Sequence, residues 1–151
     1  VITVVIDTNV FVSALIGDGT PLAAIETARL GKARLLVTTE IVTEMQRTLE
    51  RPKFKPYFLR RETESHLLLN DYTTLARYVT PVPVTDCPIQ DKKDLMFIEC
   101  AVGGDADYIV SGDHHLLDLK NYQKIMIVTP MEFLRLVNSS TDPATDPSSD
   151  E

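Results

Sequence analysis

The first nine residues constrain this chain most. Val1 to Ile6 are all β-branched and only Thr3 is polar, the composition of a strand covered on both faces. Asp7-Thr8-Asn9 ends the run. Apolar residues resume at Val10, Phe11, Ala14 and Leu15, now at helical spacing. An acid at the C-terminal end of a parallel strand stands where open α/β sheets place their ligands. Asp7 also suits the cap of the following helix, and the stretch alone leaves both roles open.

Beyond it, strand and helix patterns alternate. A short helix runs to about Ile16. Gly17 to Pro21 form a turn that leads into a helix ending at Gly31. Arg34 to Val37 read as a short buried strand, and Thr38-Thr39 cap a helix with the stripe Ile41, Val42, Met45 and Leu49, which stops before Pro52. The pattern predicts one long helix over 60–79 and an extended edge piece over 81–84, where Pro81 and Pro83 are poorly suited to a central strand. Helices are expected over 91–102, 114–119 and 131–137, and strands over 108–110 and 125–128. This βα alternation predicts a three-layer α/β/α domain over 1–137 with a mostly parallel sheet of about five strands.

The 151 residues carry a net charge of −7, which looks unfavourable for a nucleic-acid binder. Its distribution matters more. Residues 138–151 are Asn, Ser, Thr, Pro, Ala and four acids with no base, and are expected to form a disordered tail. Without it the charge is −3. Arg47, Arg51, Lys53, Lys55, Arg60 and Arg61 cluster within fifteen residues, opposed only by Glu50. This suits a path for phosphates, and equally a solvated surface with no partner. No apolar run is long enough to span a bilayer, and no basic segment precedes an apolar one as in a signal peptide. Cys87 and Cys100 match neither a disulfide framework nor a zinc pattern. The expectation is a cytoplasmic protein with reduced thiols and no membrane association.

Four acids stand out on this framework. Asp7 follows the first strand, and Glu44 flanks the apolar stripe of its helix. Asp94 lies in the first turn of the 91–102 helix, and Asp113 follows the 108–110 strand after Ser111-Gly112. Each has a plain alternative. Glu44 suits an exposed helix surface, Asp94 a position beneath an Asp91 cap, and Asp113 an N-cap. Placed together, two at strand ends and two in adjoining helices, they point to one edge of the sheet.

The segments Val5 to Phe11, Glu44, Asp94 to Ala101 and Ala106 to Asp113 resemble a PIN domain. Within that family the chain is most similar to the bacterial toxin components of toxin–antitoxin pairs, the VapC-like nucleases. The likeness runs from about Val1 to Val137 and includes Thr129 to Leu134; Asp91 is a near neighbour of the third acid, and Ser111 stands where the family often has Thr. The resemblance implies a Mg²⁺- or Mn²⁺-dependent endoribonuclease with Asp7, Glu44, Asp94 and Asp113 as its catalytic acids. Carboxylates gathered at an apolar sheet edge repel one another and raise their pKa values unless a cation is present. Hard divalent cations take oxygen ligands and activate water. Asp7 and Asp113 are the expected direct ligands, with Asp94 direct or through water. Glu44 is expected to act through water or a second ion, or to orient the attacking water. Asn9 would position Asp7, and Ser111 would steady the phosphate or a metal water. In-line attack would leave a 3′-hydroxyl and a 5′-phosphate, and two ions, if both bind, would lie about 3.5–4 Å apart. The resemblance further implies an RNA substrate, a cognate antitoxin protein as partner, and commonly a homodimer.

Other residues carry less. Adjacent His114 and His115 point roughly 100° apart on a helix and rarely share one ion, so a surface helix start is the reading adopted. Phe54, Tyr57 and Phe58, interleaved with the basic cluster, suit base stacking or, preferably, apolar contacts around Pro56. A phosphoacceptor domain with Asp7 as nucleophile would want a second acid beside Asp7 and a lysine after the last strand; Thr8-Asn9 and Thr129-Pro130 supply neither. The alternative is a noncatalytic PIN module that works by binding a protein partner.

Overall fold

The computed structural model describes residues 1–17 and 19–141. In chain order the strands are β1 (Ile2–Ile6), β2 (Ala33–Val37), β3 (Ala76–Tyr78), β4 (Tyr108–Val110), β5 (Asn121–Tyr122) and β6 (Ile125–Val128). The helices are α1 (Thr8–Ile16), α2 (Thr20–Arg29), α3 (Thr39–Leu49), α4 (Lys55–Arg60), α5 (Ser65–Leu75), α6 (Lys92–Gly103), α7 (His114–Leu117) and α8 (Pro130–Thr141). One sheet of order β3-β2-β1-β4-β6-β5 organises them, parallel throughout except for β5 against β6. Helices cover both faces of the sheet, the three-layer α/β/α arrangement expected.

β1 sits in the middle, paired to β2 on one side and β4 on the other. Its Val4, Val5 and Ile6 are at most 1% exposed, and each side chain so buried stabilises the fold by roughly 1.5–3 kcal/mol. The chain moves outward from β1 through β2 and β3, then returns to lay β4 on the other side. The switch point of the sheet therefore lies between the C-terminal ends of β1 and β4. Val5 pairs with Ile109 and Ile6 with Val110, so one further step of register sets Asp7 beside Ser111.

The expected long helix over 60–79 is not there. α4 ends at Arg60, Glu62 takes a left-handed φ of 52°, and the Thr63 and Glu62 N–H groups donate to the carbonyls of Phe58 and Leu59 at 3.1 Å each. That double bond closes a helix end which usually carries glycine. After α5 the chain extends into β3, which pairs with β2 from Leu35–Ala76 to Val37–Tyr78. The parallel edge strand is therefore β3. Residues 81–84 form no strand, because Pro81 and Pro83 have no N–H to give a ladder. The sheet has six strands rather than about five. α8 continues to Thr141, four residues past its expected end; the rest of the expected tail, 142–151, lies outside the described residues. No single described helix is long and apolar enough to cross a membrane. Cys87 and Cys100 are free thiols, the first half-buried and the second buried.

Candidate active site

Asp7 leaves β1 at its C-terminal end and caps α1, its Oδ1 accepting from the Val10 N–H at 2.8 Å. Its Oδ2 accepts from the Ser111 hydroxyl. Asp7 is 2% exposed and Ser111 fully buried. Ser111 Oγ in turn accepts from the Asp113 N–H at 2.9 Å, so one hydroxyl ties the ends of β1 and β4 together. Asp113 caps α7, accepting from the His115 N–H at 3.0 Å. Both acids are therefore caps, but capping uses one oxygen of each and does not exclude a second role.

Asp94 enters from α6 one turn inside its Asp91 cap, whose Oδ1 accepts from the Lys93 N–H at 3.0 Å. Glu44 enters from α3 beside the buried stripe Ile41, Met45 and Leu49, with its side chain 15% exposed. Arg47 Nη1 lies 3.4 Å from Glu44 Oε1. All four acids line one cleft of ≈ 300 Å³, to which Thr8, Asn9, Arg51, Asp91, Lys93 and His115 also contribute.

The electrostatics of the cleft are strained. Burial pushes the Asp7 carboxyl above the usual carboxylate range; hydrogen bonds from Ser111 and Val10 pull it back in part, while the Asp113 charge adds to the rise. Asp94 is also raised, first by burial and then by the charges of Asp113 and Asp91. Nearby, Thr8 Oγ1 is buried and has no hydrogen-bond partner among the described residues.

A group of possible ligands is formed by Asp94, Asp113 and His115, each offering a donor atom within 4.8 Å of the others. His115 Nδ1 lies 3.6 Å from Asp113 Oδ1 and 3.9 Å from Asp94 Oδ2. The His114-His115 adjacency pointed only to a surface helix start; the relation of His115 to Asp113 is what brings it to the cleft. Asp113 accepts from the His115 backbone N–H, and the His115 imidazole lies against the same carboxylate oxygen. The signal was the spacing Asp113 to His115, and the same spacing from Asp91 places Lys93, also missed, at the cleft.

Of the basic residues singled out, Arg51 reaches the cleft and Arg47 touches Glu44. Lys53 and Lys55 are exposed outside it, and Lys53 Nζ lies 5.1 Å above the Phe54 ring. Arg60 and Arg61 stack on Tyr57 at 5.6 and 4.7 Å. Phe58 is buried, Phe54 and Tyr57 pack on the core, and the Tyr57 hydroxyl donates to the Leu15 carbonyl at 3.3 Å. These aromatic rings hold the helices around Pro56.

No curated protein is significantly similar to the chain. Residues 3–115 match the family model described as the PIN domain, which spans β1 through the start of α7 and so contains all four acids, but ends before the 129–134 segment. The chain therefore belongs to the PIN domain family, whose members are in general metal-dependent nucleases.

Proposed function

We propose that this protein is a Mg²⁺- or Mn²⁺-dependent endoribonuclease, and that it serves as the toxin of a pair silenced by a cognate antitoxin protein. The observation that carries the reading is the convergence of Asp7, Glu44, Asp94 and Asp113, from four separate elements, on one cleft at the switch point of the sheet. Carboxylates with raised pKa values, a compact donor set and an unpartnered buried hydroxyl suit a hard divalent cation. Asp94 and Asp113 would hold it, with His115 supplying a nitrogen donor. Asp7 is set deeper and already accepts two hydrogen bonds, so it acts directly or through water. The cation supplies neutralisation of the acids and an activated water for phosphodiester hydrolysis.

The protein groups do the positioning. Ser111 holds Asp7 and the Asp113 backbone in fixed relation. Glu44, which lines the same cleft from α3, would orient the attacking water. Asn9 is exposed at the cleft beside Asp7. Arg51 and Lys93 on the rim are placed to bind phosphates flanking the scissile one. The motifs Val5 to Phe11 and Ala106 to Asp113 support the toxin assignment, and the same resemblance supports a homodimer.

The test is cleavage of a mixed pool of structured RNAs by the purified protein with Mg²⁺, Mn²⁺ or EDTA, alongside Asp7→Asn and Asp113→Asn. Metal-dependent cleavage lost in both variants is expected. A well-folded protein that binds no metal and cleaves nothing would overturn the reading in favour of a partner-binding module. Growth arrest on expression, relieved by the product of a small adjacent gene, is expected of a toxin.

A further inference from the structure

The acidic cleft continues past Asp91, Asp94 and His115 into a second cavity of ≈ 470 Å³, whose remaining lining is Pro88, Ile89, Gln90, Asp118 and Leu119. Its walls are fixed by the fold. The segment between β3 and α6 crosses α6, where the N–H groups of Val82 and Val84 donate to the carbonyl and the Oε2 of Glu99, each at 3.1 Å. The Tyr122 hydroxyl donates to the Asp86 carboxylate and ties the same segment to β5. Ile89 and Leu119 pack against the core. The cavity is thus a built extension of the cleft.

Its chemistry selects against phosphate. The side chains that carry or acquire charge around it are Asp91, Asp94, Asp118 and His115, with neither lysine nor arginine among its lining residues. Pro88, Ile89 and Leu119 give it apolar surface. A neutral planar group edged with N–H donors satisfies both features, and in a nucleic acid that group is a base. Asp94 belongs to the donor set of the cleft, and one Asp91 oxygen is taken by the Lys93 N–H. Asp118 lines this cavity and not the cleft. The two oxygens of a carboxylate match the adjacent N1–H and N2–H₂ of guanine. Adenine and cytosine offer one exocyclic amine each, and uracil none.

We propose that this cavity takes an unpaired guanine next to the phosphate bound at the acidic cleft, with the Asp118 carboxylate reading its N1 and N2 edge and the Gln90 amide at the rim. The inference rests on the nuclease reading for the presence of RNA in the cleft. It makes Asp118 a specificity residue of the site.

The test uses fluorescein-labelled ten-residue oligouridylates carrying one central G, A, C or U. Binding is read by anisotropy with Ca²⁺, and cleavage of the same oligonucleotides is read with Mn²⁺. The G oligonucleotide should bind at least about fivefold more tightly than the U one, the lower end for one bidentate base contact. Asp118→Asn, at an exposed position, should bring that ratio close to one. Equal binding of all four, no binding of any, or a G preference that survives Asp118→Asn overturns the proposal. A G preference in binding without any cleavage supports the cavity while the nuclease reading fails. Cleavage with no base preference does the reverse.

Discussion

Ser111→Ala removes the hydroxyl that bridges the Asp7 carboxylate and the Asp113 backbone at the two strand ends of the site. Ser111 is fully buried, so water cannot take the place of its hydroxyl. The bond to Asp7 is to a carboxylate, and such bonds contribute about 1.5–3 kcal/mol. The 2.9 Å bond from the Asp113 N–H adds about 0.5–1.5 kcal/mol. The variant should lose about 2–4 kcal/mol at pH 7 in EDTA. For a chain of this length that is a fall of about 5–15 °C in Tm. The loss should also depend on pH with a definite sign. Asp7 holds its proton more tightly folded than unfolded, so its contribution favours folding below the ordinary aspartate range and is lost as pH rises through the raised value. Taking away a donor to the ionised form raises Asp7 further, which leaves the deficit of Ser111→Ala smallest in acid and largest at neutral pH. Urea denaturation of both proteins across pH 3.5–7.5, at about half-unit steps, measures it. Equal stability at pH 7, or a deficit that fails to shrink on acidification, would refute the reasoning.

Mn²⁺ at about a hundred times its Kd should stabilise the unmodified protein by about 2.7 kcal/mol, and Asp94→Asn or Asp113→Asn should abolish that gain; differential scanning fluorimetry with and without EDTA reads it. In metal-free buffer Asp94→Asn should itself melt higher than the unmodified chain, because it removes a half-buried charge facing Asp113 and Asp91. Arg51→Ala and Lys93→Ala should weaken RNA binding across sequences and each lower the slope of log affinity against log salt by about one, as anisotropy titrations at several salt concentrations will show. Gly103→Ala should destabilise the fold by about 2 kcal/mol or more, since its Cβ would stand 2.0 Å from the Thr80 carbonyl oxygen; a thermal melt equal to that of the unmodified protein would contradict this.

The sequence by itself determined the strands that bury their side chains on both faces, because six β-branched residues ending in an acid leave few structures open to β1. It also determined the helix ends that carry ordinary signals. Thr38 caps α3 through the Ile41 N–H at 3.2 Å, and Gly31, at φ 78°, closes α2. Asp7, Glu44, Asp94 and Asp113 were legible as a set because strand ends and adjoining helices fix which edge of a parallel sheet a residue reaches. The break after α4 was not legible. Its left-handed position is held by Glu62 rather than glycine, a conformation that costs little enough for surrounding packing to impose. β3 was not legible either, since three residues become a strand only when β2 offers them a partner. Only the tertiary structure decided the distances. It set Ser111 between Asp7 and Asp113, turned His115 over the carboxylate that caps its own helix, and brought Arg51 and Lys93 to the rim. Those relations depend on how α3, α6 and α7 cross the sheet, and crossing is fixed by packed side chains far apart in the chain, which no local pattern records.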